Sequence, residues 1–325
     1  MTTRVFLYEY LSGGGRADVA AAEIAAAERA VLLPQGLAMR DALLADLLQV
    51  AGVEVGVACA DDAAGVAPPA RTLRPLPGES AVGFADRAAG QHDVAWVVAP
   101  ETGGLLAAFE RRIGPGRWLG CDAETIRLTT RKRATLLHLS RQGVPTPLDF
   151  SHAAEIRHWV VKPDDGAGAV ATQRHADADA AWEDWACRSR DAAMAIEPWV
   201  EGEPLSLSLL CRGDGVAELL SINRQCIRID ADGFVVYDGV EIHIAPPPAV
   251  RREALAELAG RVARALPGLR GFAGIDRGWH PRRGAVLIEV NPRVTCAYVG
   301  LSRALGRNLA ADLLAAHAAR GHGRG

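Results

Sequence analysis

The stretch IEVNPR at residues 288–293 places carboxylate and amide side chains in a short apolar strand. Glu289 and Asn291 are two residues apart, so both project from the same face of that strand. Asp276 lies on the apolar strand before it. Carboxylate and amide oxygens suit Mg²⁺, and a charge among apolar neighbours is unfavourable without such a use. We therefore predict that Asp276, Glu289 and Asn291 bind Mg²⁺. Arg293 is then placed to neutralise phosphate oxygens.

Lysine is almost absent from this chain. Only two of its 36 basic residues are lysines, Lys132 and Lys162, and all the others are arginine. A coding bias towards arginine accounts for the general replacement, but a site that needs a compact, mobile ammonium group resists it. Lys132 and Lys162 are therefore candidate functional residues.

Lys162 ends a short apolar strand and enters the turn PDDGAGA at residues 163–169. An ammonium group beside a loop of small residues, with its backbone N–H groups exposed, can surround phosphates. Alone, the pattern is more typical of a hairpin turn, because Gly-Ala-Gly turns are common in hairpins. It matches neither the P-loop nor the GxGxxG dinucleotide motif. The candidate phosphate-binding residues of this turn are Asp164, Gly166, Ala167 and Gly168.

A second segment, AIEPWVEGE at residues 195–203, is an apolar strand that runs into a carboxylate-rich turn. The backbone of such a hinge can recognise a purine, and an acidic side chain can bind ribose hydroxyl groups. An edge strand ended by Pro198 is the alternative interpretation. The candidate nucleotide-binding residues here are Glu197, Trp199, Val200 and Glu203.

The composition argues against several classes of protein. The chain has 325 residues, enough for two or three globular units. Its six cysteines are scattered, without a CxxC pair or a Cys/His cluster at zinc spacing, and no apolar run reaches membrane-spanning length. A formal charge of −3 gives no reason to expect nucleic-acid binding. We expect a cytoplasmic protein that acts on small molecules, with neither a membrane nor a nucleic acid as partner.

The first third of the chain alternates apolar strands with helical segments, which predicts a parallel β/α unit. The predicted strands are residues 4–8, 53–58 and 94–98, and the predicted helices are 39–51 and 105–112. A Gly- and Pro-containing connector suggests a boundary near residue 115. The predicted domains are residues 1–115, 116–195 with the Gly-rich turn, and 196–325 with the hinge and the metal ligands.

Taken together and in this order, the motifs resemble the ATP-grasp superfamily from about residue 130 to the end of the chain. The β/α segment before them resembles the domain that precedes the ATP-grasp domain in that superfamily. The resemblance implies an α/β (α+β) protein with an ATP-grasp fold and an N-terminal Rossmann-like pre-ATP-grasp domain. It also implies ATP, two Mg²⁺ ions with Mn²⁺ as a substitute, and an ADP-forming ligase that joins a carboxylate to an amine through an acyl phosphate.

The resemblance assigns roles to the candidate residues. Lys132 and Lys162 are similar to the two lysines that bind nucleotide phosphates, and residues 164–168 to the small-residue flap over them. Glu197 and Val200 resemble the adenine hinge. Trp199, another candidate nucleotide contact, lies in the same hinge.

The three predicted metal ligands resemble the Mg²⁺ ligands of the superfamily, and Arg293 is expected to stabilise the oxyanion of the tetrahedral species. The chain departs from the family pattern at one point. The ribose-binding glutamate is usually found where this chain has Pro204, so Glu203 is taken as its substitute.

A narrower resemblance rests on three segments: YEYLSGGG at residues 8–15, APET at 99–102 and LSINRQ at 220–225. They look like the tyramine–glutamate ligases of methanofuran biosynthesis. This implies a γ-glutamyl amide formed between L-glutamate and tyramine, or tyrosine in a methylofuran-type pathway of one-carbon metabolism, with Gly13 and Gly14 near the substrate. A flexible strand-to-helix turn explains the glycine run equally well.

Further side chains are candidates for substrate contact. Arg224 and Tyr298 are candidate substrate contacts, although a structural role suits each of them equally. His243 and His280 can approach the site and are taken as bystanders.

Three other functions remain open on the sequence alone. One is an ATP-grasp ligase for a different pair, such as a D-alanine dipeptide or a lysine-derived amide. The second is a catalytically silent nucleotide-binding module. The third, a dinucleotide-dependent reductase, lacks the glycine motif that such a site requires. A homodimer is expected from the superfamily resemblance.

Overall fold

The computed structural model describes residues 2–15, 26–60, 63, 65–150, 156–166, 168–244 and 248–322. It contains two compact units. Unit 1 comprises Met1–Pro100, Leu105–Ala123 and Arg293–Gly325, and unit 2 comprises Glu101–Gly104 and Glu124–Pro292.

The strands are β1 (Thr3–Glu9), β2 (Val53–Ala58), β3 (Arg71–Leu73), β4 (Val94–Val98), β5 (Trp159–Pro163), β6 (Gln173–His175), β7 (Met194–Pro198), β8 (Glu203–Gly213), β9 (Val216–Ile229), β10 (Val235–Glu241), β11 (Arg270–His280) and β12 (Gly284–Asn291). The α-helices are α1 (Ala26–Leu47), α2 (Ala81–Ala89), α3 (Leu105–Ile113), α4 (Ala123–Thr130), α5 (Lys132–Arg141), α6 (Ala178–Arg188), α7 (Ala249–Ala265), α8 (Leu301–Leu305) and α9 (Leu309–His322). None of the helices in the described part of the chain combines the length and apolarity needed to cross a membrane.

Unit 1 is built on a parallel sheet with the strand order β3-β2-β1-β4. Its central strand β1 is fully apolar from Val5 to Tyr8 and is wholly buried there, as expected for a parallel sheet covered on both faces. The predicted strands at residues 53–58 and 94–98 coincide with β2 and β4. Helix α1 begins well before the predicted residue 39 and keeps Pro34 in its interior. Packing of α1 against β1 and α9 outweighs the local signal of that proline.

The last segment of the chain belongs to unit 1, whereas the sequence analysis grouped it with residues 196–292. Tyr298 Oη donates a 2.6 Å hydrogen bond to Asp46 Oδ2, and its ring lies edge-on to Trp96. Asn308 Nδ2 donates to the backbone oxygen of Asp46. These contacts join residues more than 200 positions apart, which no local pattern in the sequence could indicate.

Unit 2 contains a small antiparallel sheet of order β6-β5-β7. Helix α6 covers it, and Val161, Ala181 and Ile196 form the buried core between them. The helix begins at a side-chain cap, because Asp177 Oδ1 accepts a hydrogen bond from the Ala180 N–H.

Unit 2 also contains a five-stranded antiparallel sheet of order β10-β9-β8-β11-β12. Asp276 on β11 lies opposite Glu289 on β12 and Ser206 on β8, and Ser206 lies opposite Asn223 on β9. Paired residues project from the same face, so these four polar residues form one row across four strands. We call this the polar face.

The other face of the same sheet is covered by α7, and we call it the helix face. Glu203 and Trp279 are opposite each other on β8 and β11. Arg251, in the first turn of α7, has its Cζ 4.3 Å from the centre of the Trp279 ring. Arg277 is two residues from Trp279 and therefore projects from this face as well.

Candidate functional site

The two lysines lie in different elements of unit 2, and both are buried. Lys132 is the first residue of α5. Its Nζ is 2.9 Å from Glu289 Oε1 and donates to the backbone oxygen of Gly166. Burial opposes the charged form, but the neighbouring Glu289 carboxylate, with Glu101 and Glu197 further away, raises the pKa of Lys132. Lys132 is therefore held as a cation between a predicted metal ligand and the predicted flap.

Lys162 lies on β5, where its Nζ donates a 2.6 Å hydrogen bond to Glu197 Oε1. Only 5% of Lys162 and 3% of Glu197 are exposed. The two strands pair so that Val160 is opposite Glu197, which puts Lys162 two residues further along the same face. A buried ion pair of this kind is expensive to desolvate, which favours a functional role over a purely structural one.

The three predicted metal ligands are brought together on the polar face. Asp276 and Glu289 are opposite each other, and Asn291 Nδ2 donates a 3.0 Å hydrogen bond to Asp276 Oδ2. Two carboxylates and an amide form a set of hard oxygen donors that fits Mg²⁺. Among the described residues, no group of three or more His, Cys, Asp or Glu side chains is arranged to hold a metal. The site therefore depends on the amide of Asn291 and on oxygens that a ligand would bring.

The Gly-rich turn has an unusual backbone conformation. Gly168 and Ala169 both have positive φ values, 69° and 60°, and this left-handed conformation is uncommon for residues other than glycine. Asp164 Oδ1 accepts a hydrogen bond from the Arg133 N–H in the first turn of α5, so the turn is attached to the helix that carries Lys132. Ala167, also predicted here, lies outside the described residues.

An apolar patch lies next to the metal ligands and was not predicted from the sequence. Phe150, Val200 and Val286 form a buried cluster, and Ile156 and Ile288 pack against it. Val200 belongs to the predicted hinge. A Cβ atom on Gly278 would lie 2.5 Å from Val200 Cγ1, so glycine lets the hinge approach the sheet. The patch is a buried apolar cluster that adjoins the strand carrying Glu289, because Val286 and Ile288 belong to that strand.

Trp199, the hinge residue next to Val200, projects in a different direction from Val200. The Trp199 N–H donates to the backbone oxygen of His158, and Arg174 Cζ lies 5.9 Å from the centre of the Trp199 ring. Because neighbouring residues of an extended segment alternate in direction, Trp199 and Val200 do not share a face. The prediction that Trp199 contacts the nucleotide is untested.

Glu203, the predicted ribose-binding residue, does not lie on the polar face that carries the predicted metal ligands; the ribose-binding role itself is untested. Glu203 lies on the helix face and forms ion pairs with Arg224 and Arg251. Although burial opposes the charged form, these arginines lower the pKa of Glu203. The reason is strand alternation: Glu203 is an odd number of residues from Ser206 on β8, so the two project in opposite directions.

Arg224 lies on the helix face for the same reason, because it is opposite Leu205 on β8. Its guanidinium group bonds Glu203 and Glu241, and these ion pairs raise the pKa of Arg224. These ion pairs give Arg224 a structural role, and the predicted substrate contact at Arg224 is untested. Strand alternation, counted from Asn223, was the signal in the sequence that would have placed it correctly.

A buried polar network continues the polar face away from the metal ligands and was also missed. Asn223 is fully buried. Its Nδ2 donates to Ser208 Oγ at 3.0 Å, while its Oδ1 accepts from Ser221 Oγ and from the His243 N–H. His243 has a φ of 48°, a conformation rare for residues other than glycine. The network fixes the backbone where β10 ends.

Two further predicted residues belong to unit 1. Tyr298 is 1% exposed and bonded to Asp46, so it is part of the unit 1 core and not a substrate contact. Arg293 is partly buried, and its Nη1 donates to the backbone oxygen of Val294. Its predicted oxyanion role is untested.

The glycine run predicted near the substrate follows the carboxyl end of β1. Gly14 has a φ of 91°, and the Gly13 N–H donates to the backbone oxygen of Glu9. The sequence analysis overlooked Glu9 itself. Its carboxylate is 3% exposed and accepts hydrogen bonds from the N–H groups of Leu11 and Ser12. Burial raises the pKa of Glu9 despite these bonds.

The sequence matches the family model of the ATP-grasp domain over residues 129–297. It also matches the pre ATP-grasp 3 domain over residues 53–126. No curated protein matches the sequence significantly.

Several solved structures are similar to this chain. An ATP-grasp superfamily protein from Archaeoglobus fulgidus is 19% identical with a TM-score of 0.67, over 97% of this chain and 88% of the other. An L-amino acid ligase from Bacillus licheniformis is 17% identical with a TM-score of 0.64, over 97% and 73%. The D-alanine–D-alanine ligase from Bacillus anthracis, solved with ATP, is 18% identical with a TM-score of 0.65, over 100% of each chain.

At these identities the solved structures establish the fold alone, and they agree with the family models. The predicted fold, an ATP-grasp domain preceded by a pre-ATP-grasp domain, is confirmed. The chain therefore belongs to the ATP-grasp domain family.

Proposed function

We propose that this protein is an ATP-dependent, ADP-forming carbon–nitrogen ligase that activates a carboxylate as an acyl phosphate and joins it to an amine. One observation carries the proposal. The only two lysines of the chain are buried in ion pairs with carboxylates, and one of those carboxylates lies in the Mg²⁺-type set on the polar face.

The nucleotide would bind along the polar face of unit 2. The adenine ring fits the apolar patch at Val200, and the backbone of the hinge recognises its edge. Lys132 and Lys162 hold phosphate oxygens, together with the N–H groups of the turn at residues 164–168. On binding, each lysine exchanges a carboxylate partner for a phosphate oxygen.

The metal site fits this arrangement. Asp276, Glu289 and Asn291 would hold Mg²⁺, which, when bound, neutralises charge on the phosphates and keeps them in line for transfer. Because Lys132 leaves Glu289 for a phosphate oxygen, the Glu289 carboxylate becomes available as a ligand at the same moment.

The first chemical step forms the acyl phosphate. An oxygen of the substrate carboxylate attacks the γ-phosphorus of ATP, and the bond from that phosphorus to the ADP oxygen breaks. Lys132 and Lys162 stabilise the charge that spreads over the phosphoryl oxygens, so positioning and electrostatics supply the rate.

The second step forms the amide. The nitrogen of a neutral amine attacks the acyl carbon, Arg293 stabilises the resulting oxyanion, and the C–O bond to phosphate breaks as the amine loses a proton. The Gly-rich turn excludes water meanwhile, because water would hydrolyse the acyl phosphate.

We further propose L-glutamate as the acid and tyramine or tyrosine as the amine, as in methanofuran- or methylofuran-type cofactor synthesis. The segments at residues 8–15, 99–102 and 220–225 support this choice. A homodimer belongs to the same proposal, and light scattering of the purified protein would test it.

A ligase for another pair of amino acids is the second candidate. The L-amino acid ligase and the D-alanine–D-alanine ligase named above, which share the fold, favour it. Both candidates use the same residues on the polar face, so product identity separates them.

The test is Mg²⁺-dependent ADP release with glutamate plus tyramine or tyrosine, followed by mass spectrometry of the product. We expect a new amide in the wild type. Lys162→Ala should lower kcat/KM by about 10²-fold or more, since one buried cation at the transferring phosphoryl group is lost. Arg228→Ala is the matched control, because it removes a cation of unit 2 that is mostly exposed and paired with Asp238.

The outcomes divide the candidates. ADP release only with another acid and amine would overturn the substrate choice and leave the ligase standing. ATP binding without turnover over a broad panel of acids and amines would overturn the ligase in favour of a silent nucleotide-binding module.

A further inference from the structure

Arg277 has an environment that the proposed function does not explain. It lies on β11 and projects from the helix face, away from the predicted metal ligands. Its side chain is 0% exposed. None of the residues that the structure describes accepts a hydrogen bond from its Nε, Nη1 or Nη2. A fully buried guanidinium group without a hydrogen-bonded partner is strongly unfavourable. This cost indicates that the positive charge of Arg277 has a function.

A second arginine, Arg251, lies near Arg277 and also has an N–H group without an acceptor among the described residues. Arg251 and Arg277 both flank Trp279, with their Cζ atoms 4.3 Å and 5.6 Å from the centre of its ring. One guanidinium nitrogen of Arg251, Nη2, bonds Glu203. Its Nε is also buried and lacks an acceptor among the described residues. Two buried guanidinium groups therefore offer unused N–H donors on the same side of the sheet.

The charges around Trp279 do not balance. Arg251 and Arg277 flank the ring, and Arg224 is linked to them through Glu203. The carboxylates that pair with Arg224 and Arg251 are Glu203 and Glu241. Arg224 bonds both carboxylates, and Arg251 shares Glu203 with it. In the described part of the chain this arrangement is one negative charge short. We call this set the arginine cluster; its members are Glu203, Arg224, Arg251, Arg277 and Trp279.

We propose that the arginine cluster is a second ligand site, which binds a small oxyanion between Arg277 and the Nε of Arg251. An oxyanion such as a phosphate or a carboxylate accepts several N–H donors at once and supplies the missing negative charge. Arg251 lies in the first turn of α7, where the helix dipole favours a nearby negative charge. Trp279 forms an apolar wall.

This site is distinct from the nucleotide site. The predicted metal ligands project from the polar face and the arginine cluster from the helix face of the same sheet, so a ligand in one cannot touch the residues of the other. The inference does not depend on the proposed ligase activity. The ligand has two possible sources, a free inorganic phosphate ion or the carboxylate of an amino acid.

The experiment measures anion binding and thermal stability in low-chloride Tris buffer. Wild type, Arg277→Met and the control Arg228→Met are each titrated with inorganic phosphate and, in a separate series, with glycine, an amino acid that is not among the proposed substrates. Saturating ADP and Mg²⁺ are present throughout to occupy any nucleotide site. Binding is followed by calorimetry, and the Tm is recorded at each anion concentration.

We expect wild type and Arg228→Met to bind one anion per chain and to gain roughly 5 °C in Tm at an anion concentration about 100 times Kd. Arg277→Met should lose at least about tenfold in affinity and most of the Tm gain. Without anion it should be as stable as the wild type or more stable, because an apolar side chain replaces an unpaired buried charge. The series with the lower Kd identifies the source.

Two results would overturn the site. One is that neither anion changes the Tm or the heat of the wild type. The other is that Arg277→Met binds the anion as tightly as the wild type does. If Arg277→Met does not fold, Arg251→Met takes its place, because the Arg251 side chain is partly exposed and lies on α7 rather than on β11. Binding of the anion by Arg251→Met as tight as that of the wild type would also overturn the site.

Discussion

At the scale of single residues, the candidate site is a set of charges that already have partners. Lys132 is paired with Glu289 and Lys162 with Glu197. These ion pairs give each buried ammonium group a carboxylate partner, and the first pair holds Glu289 beside Asp276. In the proposed function these charges are preorganised, so that substrate binding would exchange ion-pair partners without creating new charges.

Glu9 leads to a prediction about pH. Burial raises its pKa above the ordinary value of 4.5. The folded protein then holds a proton that the unfolded chain has lost, so the free energy of unfolding falls as the pH rises from about 4.5 through the folded-state pKa. We expect the stability of the wild type relative to Glu9→Gln to decrease from acidic to neutral pH. Urea unfolding of both proteins across pH 4–8 measures this difference.

Glu79→Gln is the matched control for Glu9, because both carboxylates lie in unit 1. The hydrogen bond from Arg87 lowers the pKa of Glu79, so the wild type should lose stability relative to Glu79→Gln as the pH falls, the opposite sign. A difference between wild type and Glu9→Gln that does not change with pH would contradict the account of Glu9.

At the scale of strands and helices, alternation along β8 and β9 decides which charged residues reach the candidate site. Asp276, Ser206 and Asn223 share the polar face. Glu203 and Arg224, each an odd number of residues away along its strand, go to the helix face instead. The two faces of one antiparallel sheet therefore carry different groups: the polar face carries the predicted metal ligands, and the helix face carries the arginine cluster.

Tyr298 leads to a prediction at the same scale, because it joins the turn before α8 to helix α1. Tyr298→Phe removes its hydrogen bond to Asp46, which Ser302 still bonds. We expect a loss of about 1–2 kcal/mol in the free energy of unfolding, measured by urea titration. The KM values for acid and amine should stay unchanged. A KM increase of about tenfold at unchanged stability would instead support the predicted substrate contact at Tyr298.

At the scale of the whole molecule, the chain returns to its first unit after completing the second. Arg293–Gly325 belongs to unit 1, where Leu301, Leu309 and Leu313 are buried. Unit 1 is thus built from segments at both ends of the sequence, and it cannot be complete until the last residues are in place.

Removal of residues 293–325 tests this organisation. The shortened chain exposes apolar surface on α1 and lacks the three residues that donate hydrogen bonds to Asp46, which are Tyr298, Ser302 and Asn308. We therefore expect unit 1 to lose its cooperative thermal transition while unit 2 keeps its own. Scanning calorimetry shows the transitions, and limited proteolysis should cleave the first 123 residues much faster than in the full chain. Unchanged protection of that region would contradict the prediction.

The sequence alone determined the features that depend on local pattern or on residue identity. The β/α alternation of the first third predicted strands that coincide with β2 and β4, because strand and helix periods are visible within a few residues. The scarcity of lysine singled out Lys132 and Lys162. The two-residue spacing of Glu289 and Asn291 placed them on one face of a strand.

Only the tertiary structure decided which distant residues meet. The Lys132–Glu289 ion pair, the apolar patch of Phe150, Val200 and Val286, and the placement of the last segment in unit 1 each join parts of the chain that no periodicity connects. The unpartnered guanidinium group of Arg277 is of the same kind. Local propensity sets where strands and helices form, whereas packing and the pairing of buried charges set which of their side chains come into contact.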